Sequence, residues 1–156
     1  MPLLDRLPEA TRKSMLELAV EINETAPFHR PAKPLSESVV TIVTTAGLHV
    51  HGDTPFVPAD PTYRIIPADV RGDDLLQTHN SIGFDRTGVM ADVNVVFPID
   101  RLREMIAEGR IGSLGPRCYS FMGAQRDVTA IKTKTAGEVA DRLLQDGVEV
   151  ALLTPT

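Results

Sequence analysis

Few residues of this chain have types and spacing that could do chemistry: His49, His51, His79, Asp85 and the single cysteine, Cys118. His49 and His51 form an H-x-H pair, and alternate residues of a strand point the same way, so the two imidazoles are weak candidates for a metal. No cysteine or third ligand sits at a recognisable spacing, and a partly solvated pair flanking a turn at Gly52 is the plainer expectation. The segment Thr78-His79-Asn80-Ser81-Ile82-Gly83-Phe84-Asp85 follows an expected strand. A histidine and a carboxylate in such a loop could serve as general acid or base and its orienter. The same residues also make an ordinary turn, with His79 bonded to backbone, and composition leaves both readings open. Cys118, between Arg117 and Tyr119, could have its thiol pKa lowered by the guanidinium, but a lone cysteine beside a strand is more often a small buried hydrophobe.

The elements that must position these residues alternate along the chain. Pro8 to Glu24 carries Met15, Leu18, Ala19 and Ile22 on one helical face. Prolines 27, 31 and 34 punctuate a linker. Val39-Val40-Thr41-Ile42-Val43-Thr44 is the clearest interior strand, and Tyr63 to Ile66, Leu75 to His79, Asn94 to Phe97 and Tyr119 to Met122 read as shorter ones. Pro98 opens a helix through Glu108, with Gly109 as its stop. Thr135-Ala136-Gly137-Glu138 fits a capping box, followed by helical spacing to a stop at Gly147. Val148 to Leu153 then reads as an apolar strand covered on both faces. The expectation is one α/β domain over residues 1–156, with an N-terminal helix and proline-rich linker over 1–38 and a core over 39–156. Its architecture is expected to be a three-layer Rossmann-like or flavodoxin-like sandwich, with a largely parallel sheet and a strand ending the chain.

At 156 residues, 42% hydrophobic and 24% charged, this is the composition of a globular chain with a proper core. A net charge of −5 gives no electrostatic reason to expect nucleic acid or an anionic membrane as partner. A lone cysteine and an N-terminus without signal-peptide character point to the cytoplasm. There is no G-x-G-x-x-G, Walker loop or G-x-S-x-G elbow.

From Val39 to Thr156 the chain resembles the selenoprotein B family of glycine, betaine, sarcosine and D-proline reductases. The resemblance rests on several segments taken in order: Val43-Thr44-Thr45-Ala46-Gly47-Leu48-His49, Tyr63-Arg64-Ile65-Ile66-Pro67, and the His79 to Asp85 loop. It continues through Asp92-Val93-Asn94-Val95-Val96-Phe97-Pro98-Ile99-Asp100-Arg101-Leu102, Glu108 to Leu114, Tyr119-Ser120-Phe121-Met122-Gly123 and Gly147 to Thr156.

The resemblance implies thiol- or selenol-dependent reductive cleavage of a carbon–nitrogen bond in a small amine or amino-acid-like substrate. The redox-active selenocysteine or cysteine is expected directly after the strand that Leu152-Leu153-Thr154-Pro155-Thr156 resembles. There a helix N-terminus favours the ionised nucleophile. The family's nucleophile is thus missing from residues 1–156, and the hypothesis is that a UGA codon follows Thr156; a UAA or UAG codon there would sink it. On this view His79 and Asp85 are proton donor and orienter, and Thr154 and Thr156 line the base of the loop. No cofactor is expected in this chain, a pyruvoyl group being carried by a separate partner subunit. Other reductase-complex subunits, a dithiol or thioredoxin-type reductant, and a second copy of the chain are the expected partners. The alternative is a complete, non-catalytic domain that binds a partner or forms a homo-oligomer; a weaker third is a metal-binding protein built on His49, His51 and His79.

Overall fold

The computed structural model describes residues 4–17, 24–25, 29–81 and 83–155. It divides into two units, Met1–Arg30 and Pro31–Thr156. In the first, a 3-10 turn at Leu4–Arg6 precedes α1 (Glu9–Leu16), which starts behind Pro8. Of the expected apolar face, Met15 is exposed, and Leu18, Ala19 and Ile22 lie outside the described residues.

The second unit is organised by β1 (Val39–Thr44), a run of β-branched residues suited to a pleated, buried surface. One edge of β1 pairs in parallel with β5 (Ser113–Leu114) and β6 (Arg117–Phe121), through Val39↔Ser113 and Val43↔Tyr119. Between β5 and β6 the chain passes through Gly115 and Pro116, and proline has no amide to give a ladder. The other edge of β1 pairs in parallel with β7 (Val150–Thr154), from Val40↔Val150 to Thr44↔Thr154. β3 (Tyr63–Pro67) closes the far side, antiparallel to β6. A second, two-stranded sheet joins β2 (Leu48–Val50) to β4 (Leu75–Gln77), antiparallel. The architecture is mixed α/β with a mostly parallel main sheet.

Helices cover both faces of that sheet. Ile99 and Leu102 of α3 (Ile99–Ala107) pack with Val40, Ile42, Ile66 and Cys118 on one side. Val139 and Leu143 of α4 (Ala136–Gln145) pack with Tyr119, Phe121, Val43 and Tyr63 on the other. Each fully buried side chain of this kind contributes about 1.5–3 kcal/mol. Arg117 grips Asp146 with two bonds, of 2.7 and 2.6 Å, fixing the start of β6 to the end of α4. A short α2 (Thr87–Ala91) lies between β4 and α3. No helix among the described residues is long and apolar enough to cross a membrane.

Three expectations are corrected. Asn94–Phe97 is not a strand: Val93–Val95 form a 3-10 turn, because the Asp92 side chain accepts from the Asn94 amide at 2.9 Å. Thr135 does not cap a helix. Helix already runs from 129, behind an Asp127 carboxylate that accepts from the Thr129 amide, and passes through a π-helical turn at Ile131–Thr135. The Thr135 hydroxyl instead donates to the Pro61 carbonyl at 2.9 Å. Finally, β7 pairs among the described residues with β1 alone, and with Leu153 67% exposed it is not covered on both faces. The stops at Gly109 and Gly147 hold, both with positive φ.

A Cβ at Gly112 would stand 2.7–2.9 Å from the backbone of Glu37 and Ser38, where β5 meets the turn leading into β1. Gly112→Ala should therefore lower unfolding stability by about 1–3 kcal/mol, read as the urea midpoint. Gly137→Ala, in a helix with nothing within 4 Å, should raise it by about 0.5–1 kcal/mol.

Candidate functional site

Because β1 and β7 run parallel in register, their carboxyl ends emerge side by side, with Thr44 opposite Thr154. In open α/β sheets this end is where ligands gather. Here the two threonines share one acceptor. The Thr44 hydroxyl donates to the Val96 carbonyl at 3.1 Å, and the Thr154 hydroxyl donates to the same oxygen at 2.7 Å. The Thr44 oxygen also accepts from the Ala46 amide at 3.2 Å, and the Thr45 amide donates to the Thr154 carbonyl at 3.2 Å. Val96 is held in turn by the segment before α3. There the Asn94 side chain donates to Asp92 and Asp100 and accepts from the Asp100 amide. Those bonds from Asn94 keep both carboxyls below their ordinary range.

His79 lies against Gly47, three residues beyond Thr44. It follows β4 of the small antiparallel sheet, not a strand of the parallel one. Gly47, at φ +64, makes room for it: a Cβ there would come within 3.1 Å of the His79 backbone nitrogen. The His79 ring is 1% exposed and lies 4.5 Å, centroid to centroid, from the Phe84 ring. Its Nδ1 accepts from the Ser81 amide at 3.2 Å, so in the neutral ring the proton sits on Nε2. That Nε2 is buried and has no partner among the described residues. Burial, with the Arg86 charge second, pulls the imidazole below its usual pKa and favours the neutral form. Arg86 also donates from Nη2 to the His79 carbonyl.

The other sequence candidates are dispersed. Asp85 is exposed and accepts from the Thr87 amide at 2.9 Å, which opens α2 and holds its carboxyl low. No hydrogen bond among the described residues joins it to His79. Thr154 is at the crest, and Thr156 lies outside the described residues. His49 is buried in β2 and donates from Nδ1 to the Val50 carbonyl, whereas His51 is exposed in the following turn. The two do not converge, and no group of three or more His, Cys, Asp or Glu among the described residues is placed to hold a metal. Cys118 is fully buried beneath the Thr41 hydroxyl, and burial pushes its thiol pKa up.

Two clefts flank the His79 loop. One, of about 730 Å³, is lined by Leu48, Gln77, Arg86, Asp92 and Arg103. The other, of about 480 Å³, lies at the end of β6 and is lined by Asn80, Ser81, Met122 and Arg126. Ala59 and Ala124, both in the left-handed region where non-glycine residues are uncommon, line the second as well. Thr44, Val96, Arg86 and Ser81 were not singled out from sequence, since each reads there as ordinary strand, turn or surface.

A family model described as glycine/sarcosine/betaine reductase selenoprotein B (GRDB) matches residues 3–156. The chain belongs to this family. It is 34% identical over 139 residues to the D-proline reductase subunit gamma of Acetoanaerobium sticklandii, a match covering 88% of this chain and 57% of that protein. It is 32% identical over 152 residues to the betaine reductase complex component B subunit beta of Peptoclostridium acidaminophilum, covering 90% of this chain and 33% of that protein. A similar match, 28% over 145 residues, is to the glycine reductase complex component B subunit gamma of Carboxydothermus hydrogenoformans. The chain thus spans between a third and somewhat over half the length of these selenoprotein B relatives. No solved structure matches it.

In this member of the selenoprotein B family, Thr44→Val takes from the buried Ala46 amide its side-chain acceptor, while Thr154 still holds the Val96 carbonyl. It should cost about 1–3 kcal/mol. Thr154→Val leaves Val96 its bond from Thr44 and should cost less, about 0.5–1.5 kcal/mol; urea midpoints of both variants check the order. His79 sets a pH dependence. Its folded pKa lies below the unfolded value, so the unfolded chain takes up the proton first as pH falls. The contribution is fully present above the unfolded value of about 6.5 and is lost as pH drops toward the folded one. Urea titrations should show stability falling over that window in the wild type, and less so in His79→Gln.

Proposed function

We propose that this chain provides the scaffold of the reacting site in a selenoprotein B-type reductase component, an oxidoreductase acting on a small amine or amino-acid-like substrate. The observation that carries the reading is the crest where Thr44 and Thr154 close over the Val96 carbonyl, with His79 set behind Gly47. The strand order β6–β1–β7 supports it. It matches the 2-1-3 portion of the flavodoxin-like order 2-1-3-4-5, whose ligand site lies at the carboxyl ends of the first and third strands.

In this reading the crest seats a selenolate or thiolate, which supplies the nucleophile and the electrons of reduction. Cys118 is not that group, since its thiol is buried and its pKa raised. The chain's own residues do the positioning. Thr44 and Thr154 fix the strand ends, and His79 presents an Nε2 proton. A neutral imidazole is a hydrogen-bond donor and not an acid near neutral pH, so its role is to bind a substrate oxygen or anion rather than to protonate a leaving group. Asp85 serves at one remove, by opening α2 beside Arg86.

The relatives are named as subunits and components of complexes, and on that basis we assign this chain to a multi-subunit reductase. A pyruvoyl group belongs in that assembly to a separate subunit, and a dithiol or thioredoxin-type protein supplies electrons. The free, buried cysteine accords with a cytoplasmic setting. The exposed Leu152 and Leu153 of β7 favour a second reading, a non-catalytic domain that pairs with a partner or a second copy.

One exchange tests the choice. The 139-residue matching segment of the D-proline reductase subunit gamma is replaced by that of this chain, and dithiol-driven D-proline reduction is assayed with that enzyme's other subunits. Retained turnover is expected, together with none from residues 1–156 alone. A folded exchange protein without turnover would favour the second reading, and turnover by the chain alone would overturn the role given to Cys118.

A further inference from the structure

A buried donor without a partner costs stability, and the free Nε2–H of His79 is such a donor among the described residues. The cost persists only because the surroundings over-determine the ring. The Ser81 amide on Nδ1 fixes the tautomer, and the Phe84 ring fixes the plane. The Ser81 bond also disfavours a second proton on Nδ1, but neither contact holds the backbone that carries the imidazole or sets a charge beside it. Arg86 does both. Its guanidinium donates to the His79 carbonyl, seven residues back, and so closes the loop on itself.

Arg86 also keeps its charge unneutralised. Asp85, the adjacent carboxylate, is committed to the Thr87 amide, and no carboxylate among the described residues is within ion-pair distance of Arg86. Arg86 lines the larger cleft together with Asp73, Asp92, Asp100, Arg71 and Arg103. Of these charges Asp100 is paired to Arg103, Asp92 is bonded to Asn94, and Arg71 faces Asp73 at 3.7 Å in solvent. On the other side His79 meets Gly47, which brings no side chain and no charge. Arg86 is therefore the charged group that acts on the imidazole. A nearby cation disfavours a second proton.

We propose that Arg86 is the positioning residue that holds His79 as a neutral Nε2–H hydrogen-bond donor in the reacting site. The functional half of this statement rests on the reading of His79 given under Proposed function; the structural half does not. Loss of Arg86 leaves the ring in its pocket but frees the loop and lets the imidazole charge more easily.

Two measurements test it. In the 15N-labelled chain, long-range proton–nitrogen spectra across pH, assigned with His79→Gln, report tautomer and protonation directly. The wild type should carry its proton on Nε2 and titrate below the ordinary histidine range. Arg86→Gln keeps a donor for the His79 carbonyl but removes the charge, and should move that midpoint upward. Arg86→Lys should hold it near the wild-type position. A wild-type proton on Nδ1, or an unchanged midpoint in folded Arg86→Gln, would overturn the proposal.

In the exchange reductase, activity that needs neutral His79 is lost as pH falls through its pKa. Arg86→Gln should therefore shift the acid limb of kcat to higher pH, and Arg86→Lys should restore it. An unshifted limb overturns the functional half. An exchange protein inactive at every pH would count against the reductase reading, while the spectra still decide the part played by Arg86.

Discussion

Both edges of β1 are occupied by parallel partners, and the rest of the unit depends on that double pairing. Val39 and Val43 are tied to β5 and β6 on one side, and Val40 to Thr44 are tied to β7 on the other. Parallel ladders need crossovers, and α3 and α4 are those crossovers, one on each face. Once they are laid down, the carboxyl ends of β1 and β7 have nowhere to go but side by side. Two threonine hydroxyls then arrive at one carbonyl. A valine or alanine at either position would keep the ladder and lose that hydroxyl from the seal. The crest is thus a consequence of topology finished by side-chain chemistry.

The same topology explains why Cys118 is inert. Its side chain points into the α3 face of β6, among Val40, Ile42 and Ile66, where a thiolate would lose its solvation. On the proposed reading, a redox sulfur or selenium sits instead where donors and solvent reach it, beyond the strand ends. The burial of Cys118 therefore does not argue against reductive chemistry at this fold. It only removes one atom from the list of those that could perform it.

Much of this arrangement was legible in the sequence where signals are local and redundant. Six β-branched or apolar residues mark β1, and Pro98 with Gly109 brackets α3. The misread elements share a different cause, since in each a side chain finds an unforeseen partner. Asp92 captures the Asn94 amide and turns an apolar run into a 3-10 turn. Thr135, at the head of an apparent capping box, finds an acceptor 74 residues away. The H-x-H pair fails because β2 ends at Val50, so the alternation that would align His51 with His49 stops one residue short. At the site, the His79 loop stands out by composition, whereas Thr44 and Arg86 do not. Their roles depend on Val96 and on the backbone of His79, which no local pattern specifies.

The two halves of the candidate site differ in how they are held. The crest rests on a five-residue parallel ladder and a doubly bonded carbonyl, so its geometry is set by the cooperative core. The His79 loop has no ladder of its own beyond β4, and its imidazole and backbone are held by individual contacts, those from Ser81, Phe84 and Arg86 among them. In a loop held this way the Nε2 proton is buried and lacks a partner among the described residues. A substrate acceptor reaching that proton would regain a bond the free protein lacks, so occupancy and loop order would strengthen one another. On the proposed reading, a crest set by a ladder and a donor set by side-chain contacts would place any ordering of the loop on the binding step, and leave the strand ends unchanged by it.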